Sequence, residues 1–374
     1  MLMTLALAGP AFAQSEQWLE YHTSDEGRAY HQLKLTTNPP PGIALPKLNA
    51  PPWFARWETP MDPAGGRWLC LDRTRKSGPY DLLYLDTAGN GRLDDDAPVR
   101  GRLDSFNANF PATPVVFKGE DGPITYHLGF RFYQYEQSPA QLLAFSAGWY
   151  EGKVNFDGAK KRLQLVDGNV NGTFNDHVSN PYSSDRVRVE GDKVGERFLG
   201  QMLEVDGKFF RIEVARDGAF VKVQNAKDVV LGPVRVPETI SEFTAFGDNG
   251  HFVRKPASGE LTLPTGKYRM VEWTIERKDD KGAPWTLSGY NFPDTADFEV
   301  VTGKTAVLEI GEPVQTVLKT TDESNRLVAF NLSFVGRQKE TVQFLRDGQR
   351  PRGPKLMLAN ADGTLCYTNT FEFG

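Results

Sequence analysis

Short runs that alternate apolar and polar residues, each closed by Gly, Pro, Asn or Asp, dominate this chain. Met202–Gln224 (MLEVDGKFFRIEVARDGAFVKVQ) alternates with a period of two and is broken twice by Asp-Gly. That period predicts half-buried strands, and Asp-Gly between them predicts hairpins. Gly259–Arg277 (GELTLPTGKYRMVEWTIER) predicts strand, Pro-x-Gly turn and strand, and Phe298–Pro313 (FEVVTGKTAVLEIGEP) repeats the idea. LVAFNLSF and KLMLANADGTLCYTNTFEFG add further strands, with Asp362 and Gly363 at another turn. One helix is expected, over Ser138–Tyr150, with Ser138 as its cap and Pro139 in its first turn. The 36 Gly and 25 Pro are spread along the chain, which fits many short strands joined by turns.

Two turns share one register. DTAGNGRLDDD (Asp86–Asp96) and DGNVNGTFND (Asp167–Asp176) are related by a shift of 167 − 86 = 81 residues. At that shift Trp68 aligns with Trp149, Leu82 with Leu163, Asn90 with Asn171, Gly91 with Gly172 and Asp95 with Asp176, without a gap. An apolar stretch runs straight into each loop, DLLYLD and RLQLVD, as a strand would. The match is a weak internal repeat. Pro98 and Pro181 follow the loops and disfavour helix there, so both loops are expected between strands.

Both loops resemble the calcium loop of EF-hand and dockerin proteins, D-x-[DN]-x-[DN]-G, in the strand-flanked form found in bacterial secreted proteins. Calcium takes six to eight oxygen ligands, and the central Gly permits the sharp turn that gathers them. In the second loop the resemblance assigns Asp167, Asn169 and Asn171 to positions 1, 3 and 5, Gly172 to position 6 and the carbonyl of Thr173 to position 7. Phe174 is the apolar anchor, and Asn175 and Asp176 close the sphere. Val178 stands where an EF-hand has its bidentate acid, which implies weak binding, on the order of 10⁻⁴–10⁻³ M. In the first loop Asp86, Asn90 and Gly91 fit, Arg92 takes position 7 and Leu93 is the anchor. Ala88 at position 3 offers no side-chain oxygen, and Asp94, Asp95 and Asp96 compensate as three crowded carboxylates that a cation would neutralise. One or two structural calcium ions are therefore expected. The segment Leu263–Tyr268 (L-P-x-G-x-Y) also resembles a turn of transthyretin-like and other secreted β-sandwich modules.

The N-terminal MLMTLALAGPAFAQ carries an apolar stretch and an A-x-A site before Gln14, as in a secretory signal peptide. An extracellular or periplasmic protein is expected. The organisation expected is a signal peptide over 1–13, a duplicated calcium-loop β module over 14–190, a β-hairpin segment over 191–237, and β-sandwich modules of immunoglobulin-like or transthyretin-like type over 238–374. Cys70 and Cys366 are expected as separate thiols rather than a disulfide, because spacing alone does not bring them together.

Net charge is −5 with 43 basic and 48 acidic residues well mixed, which argues against a nucleic-acid surface. No later run reaches the roughly 20 apolar residues of a membrane span. The five His form no H-x-x-x-H or H-E-x-x-H pair, and no G-x-S-x-G elbow, P-loop or dinucleotide fingerprint is present. A structural or binding role at the envelope or outside the cell is the first expectation. Two alternatives stay open: a carbohydrate-binding or adhesion module using some of the seven Trp, and a secreted hydrolase whose acid pair spacing hides.

Overall fold

A computed structural model describes residues 14–104, 107–134, 139–177, 180, 183–293, 296–323 and 327–372. The expected signal peptide, residues 1–13, lies outside them. The described residues form β-strands and turns with no α-helix, so the mostly β, multi-domain expectation holds. None of the described residues forms a helix long and apolar enough to cross a membrane. The chain divides into two compact units between Lys227 and Asp228.

The first unit holds four antiparallel sheets around one core. One sheet runs Gln14–Trp18, Phe220–Asn225, Lys208–Val214, Met202–Val205, so the Asp-Gly hairpins are capped by a strand from the far end of the unit. A five-stranded sheet is built on the long pair Asn107–Lys118 and Pro123–Tyr133. In the first of these strands the buried positions alternate strictly over its second half, from Thr113 to Lys118, as period-two patterning requires. The other two sheets carry the acidic loops. Trp57, Leu69, Phe110, Tyr126, Leu163 and Phe210 belong to one continuous apolar cluster that joins the sheets.

The expected helix is not formed. Gln141–Ser146 is a strand between Pro123–Tyr133 and Tyr30–Leu33, and Gly148–Phe156 is another; Ser138 lies outside the described residues. The reason is the pattern itself. Leu142, Ala144 and Ser146 are fully buried while Gln141, Leu143 and Phe145 are not, and only a period of two produces that. Pairing on both edges outweighs a cap and a favourable first turn, which contribute about 1 kcal/mol.

In the second unit the turns at Pro264 and Gly303 do not close simple hairpins. Glu260–Pro264 pairs with Leu231–Arg235 in a three-stranded sheet, whereas Gly266–Lys278 enters the large sheet beside Glu242–Gly247. Asp297–Val300 stays with the large sheet, and Ala306–Val307 joins Leu231–Arg235 in parallel. Each turn thus hands the chain from one sheet to the other, as sandwich corners do. Gly266, at φ 154, sits where any side chain would strike Asn249, and the Tyr268 hydroxyl donates to the Pro264 carbonyl at 2.8 Å across the corner. Phe243, Phe252, Tyr268 and Trp273 fill the core.

Both cysteines are free. Cys70 is the buried small hydrophobe expected of it, and burial pushes its thiol up to about 12. Cys366 is exposed instead.

Strand alternation at 141–146 can be checked by unfolding. Leu142→Ala is expected to cost about 2–5 kcal/mol and Leu143→Ala clearly less, measured by urea denaturation. Equal losses would contradict the strand.

Candidate metal centre

The two loops are topological equivalents. Leu82–Leu85 leads through the first loop to Val99–Arg100, its antiparallel neighbour, and Ala159–Val166 leads through the second to Arg186–Val189. The strands before them pair in different registers, however. Leu85 faces Leu69, and Val166 faces Trp149, whereas the 81-residue shift would put Tyr150 there. The aligned tryptophans are therefore one residue out of step, which turns them to opposite faces of their sheets.

Within the loops the local geometry is shared. Asp86 accepts the N–H groups of Gly89 and Asn90 on Oδ1, at 2.7 and 3.0 Å, and of Gly91 on Oδ2 at 2.9 Å. Asp167 accepts Asn171 N–H on Oδ1 at 3.2 Å and Gly172 N–H on Oδ2 at 2.7 Å. Positions 4 and 6 are left-handed in both: Gly89 and Gly91 at φ 71 and 75, Val170 and Gly172 at φ 59 and 89. For Val170 this is a strained conformation for a β-branched residue, costing on the order of 1–3 kcal/mol. It is held by complete burial and by Trp57, whose indole N–H donates to the Val170 carbonyl at 2.6 Å. Both expected anchors are buried, Leu93 against Phe54 and Cys70, and Phe174 edge-on to Tyr126 and Tyr150.

Charge separates the loops. In the first, Arg92 sits against the acids: its Nη2 lies 2.9 Å from Asp94 and its Nε 3.9 Å from Asp95. Asn90 Nδ2 donates to Asp95 at 2.7 Å, and the Thr87 hydroxyl donates to Asp96. Beneath them the buried Arg67 pairs with Asp62 at 3.0 Å and donates to the carbonyls of Asp86 and Thr87. Arg92 thus enters the first loop as a cation, not as an oxygen donor from its side chain.

The second loop has Thr173 in place of Arg92. Asp176 Oδ2 gathers hydrogens from Asn169 Nδ2 at 3.2 Å, Asn171 Nδ2 at 2.8 Å and the Thr173 hydroxyl at 2.7 Å. Asn171 Oδ1 accepts the Thr173 N–H at 2.9 Å and lies as close as Asp176 to the Thr173 hydroxyl, whose single hydrogen the two acceptors share. Asn175 lies half-buried at the rim, apart from this cluster of bonds. The loop therefore brings Asp167, Asn169, Asn171, Thr173 and Asp176 together.

Two further residues complete the arrangement, and neither was legible in the sequence. Asp185 is fully buried; its Oδ1 accepts Gly168 N–H at 3.0 Å and its Oδ2 accepts Asp176 N–H at 2.7 Å, clamping the loop's entry to its exit. Tyr126, from another sheet, donates its hydroxyl to Asp167 Oδ2 at 2.8 Å and stacks on Trp57. No spacing rule links Asp185 or Tyr126 to the loop, because tertiary packing brings them there.

Among the described residues no salt bridge reaches Asp167, Asp176 or Asp185. Burial raises the Asp167 carboxyl to about 6, against the donors it accepts. Asp185 is held well above the carboxylate range by burial first and by the charge of Asp167 second. Among the described residues, no group of three or more His, Cys, Asp or Glu is arranged to hold a metal ion. An ion here would be taken by a mixed set of carboxylate, amide, hydroxyl and carbonyl oxygens, and that hard-oxygen chemistry suits calcium.

Comparison with known proteins finds no family model that matches the chain, no similar curated protein and no similar solved structure.

The raised carboxyls fix a sign for pH. The folded state binds protons that the unfolded state releases above about pH 4, so stability without metal falls as pH rises from about 4 through 6. Thermal melting in chelator across pH 4–8 should show this fall, and Asp167→Asn with Asp185→Asn should flatten it. A rise in stability over that window attributable to these residues would contradict the assignment.

Proposed function

We propose that the chain is an exported protein whose second acidic loop, Asp167–Asp176, binds one structural calcium ion, and that its role is binding or architectural. The observation that carries this is charge: Asp167 and Asp185 are buried, Asp176 is half-buried beside them, and no cationic side chain pairs with them among the described residues. Two buried like charges disfavour each other unless protons or a cation neutralise them. Near neutral pH a divalent ion supplies that charge and fixes a turn that otherwise costs conformational entropy.

Asp167, Asn169, Asn171, the Thr173 carbonyl and Asp176 would hold the ion, with Asp185 holding the loop's ends together. Asn175 stands at position 9, where EF-hand ligation often runs through water. The first loop is read differently. Arg92 already offsets Asp94 and Asp95, so a single ion per chain is proposed. Export rests on the A-x-A pattern before Gln14.

Calorimetric titration of chelator-stripped protein is expected to show one calcium per chain. At about a hundred times the dissociation constant the ion should stabilise the fold by about 2.7 kcal/mol. Asp167→Ala and Asn171→Ala should each abolish binding; unchanged binding in both would remove the loop from consideration.

The contrast between loops gives a second test. Ala88→Asn with Arg92→Thr restores an oxygen at position 3 and removes the competing cation. This double variant should bind two ions where the parent binds one, again by calorimetry.

A further inference from the structure

The five-stranded sheet of the first unit runs Tyr30–Leu33, Gln141–Ser146, Pro123–Tyr133, Asn107–Lys118, Arg102–Asp104. One of its faces belongs to the core. Leu33, Leu142, Phe132 and Ala108 form a cross-strand row there, and all four are buried. Successive side chains of a strand alternate between faces, so the residues next to these in sequence stand on the other face. Pairing sets them in rows of their own. Tyr30 lies opposite Phe145, and a second row runs Gln32, Leu143, Arg131, Asn109, Arg102.

Solvent reaches this outer face. Gln32, Arg131 and Arg102 are exposed, and Leu143, Phe145 and Asn109 are half-buried. Tyr30 is 69% exposed, on the strand that anchors Leu33 in the core. Its ring centroid lies 6.3 Å from that of Phe145, with the two planes tilted by 57°. The Arg131 guanidinium comes next, 5.3 Å from the Phe145 ring. Its Nε donates to Asn109 Oδ1 at 2.5 Å and its Nη1 to the Tyr133 hydroxyl at 3.3 Å, which hold the group in place. Flat groups therefore follow one another diagonally across four strands: Tyr30, Phe145, Arg131, Asn109.

That strip has the two parts a sugar chain needs. A pyranose ring has an apolar C–H face and a rim of hydroxyls, each of them both donor and acceptor. Aromatic rings offer a wide apolar surface at the first two positions. The amides of Gln32 and Asn109 carry donors and acceptors together, and the Arg131 fork adds donors in a fixed plane. Charge narrows the ligand further. Arg102 and Asp104, both exposed, are two residues apart on one strand and share this face. A polyanion is taken by a basic stripe, whereas a face bearing both signs suits an uncharged chain.

We propose that the outer face of this sheet binds a linear, uncharged polysaccharide, its pyranose rings seated on Tyr30 and Phe145 and its hydroxyls bonded to Gln32, Arg131 and Asn109. Three strand spacings make the strip about 14 Å wide, so it takes several sugar units in a row, and affinity rises with chain length. The ligand touches neither acidic loop. The inference gives the binding role proposed above a ligand class without resting on the calcium ion.

The test is calorimetric titration of the full chain with cellohexaose, laminarihexaose and mannohexaose, each in calcium and in chelator. Saturable binding of at least one hexaose is expected in both buffers, with the matching disaccharide weaker by about tenfold or more. Binding in chelator keeps this result separate from the calcium reading. Tyr30→Ala and Gln32→Ala should each weaken binding by about tenfold at the parent's melting temperature, and Tyr30→Phe should retain most of the affinity. If Tyr30→Ala melts early, Gln32→Ala decides. No saturable binding of any hexaose up to roughly 10 mM, affinity unchanged in Gln32→Ala and Tyr30→Ala, or preference for hexagalacturonate or single-stranded DNA over the neutral sugars would each overturn the proposal.

Discussion

Burial of Asp167 is the constraint on which the second half of the loop module depends. Its carboxylate organises the turn by accepting the N–H groups of Asn171 and Gly172, and it ties that turn to another sheet through Tyr126. Removing it from water is costly, and Asp185 nearby raises the cost further. The surrounding structure is arranged around that penalty. Trp57 holds Val170 in a conformation its side chain disfavours, and Phe174 packs between two tyrosines. A loop free to relax would let water reach the carboxylate instead.

The first loop meets the same problem with a different answer. Its position-1 acid accepts the same backbone groups, and its left-handed positions coincide. Asp94, Asp95 and Asp96, however, lie at the surface, and the loop's positive charge is covalently part of the chain, in Arg92 above and Arg67 below. One substitution at position 7, Arg for Thr, separates a turn that carries its own counter-charge from one that does not. The apolar surroundings differ to match, since Leu93 belongs to a small satellite cluster and Phe174 to the main core.

Much of the fold was legible because period-two alternation and Asp-Gly turns are local signals. The loops, their anchors and the leading aspartates were legible for the same reason. What escaped was set by distance along the chain. Gln141–Ser146 read as helix because its cap signals are local, whereas the two strands that claim it come from residues 30–33 and 123–133. The turns at Pro264 and Gly303 were legible as turns, but which sheet each flanking strand joins depends on partners far away. Asp185 and Tyr126 were invisible for that reason also. The ungapped repeat concealed a slip of one residue, because alignment records spacing and not pairing.

One pairing has a consequence for how the first unit is made. Gln14–Trp18 lies at the edge of a sheet whose next strand is Phe220–Asn225. Its ladder cannot form until the rest of the unit has been synthesised, and closing so long a loop carries an entropic cost and delays folding. A chain leaving the ribosome would therefore have both acidic loops synthesised while Gln14–Trp18 still lacks its partner strand. The first strand of the unit is therefore the one whose sheet partner is made last.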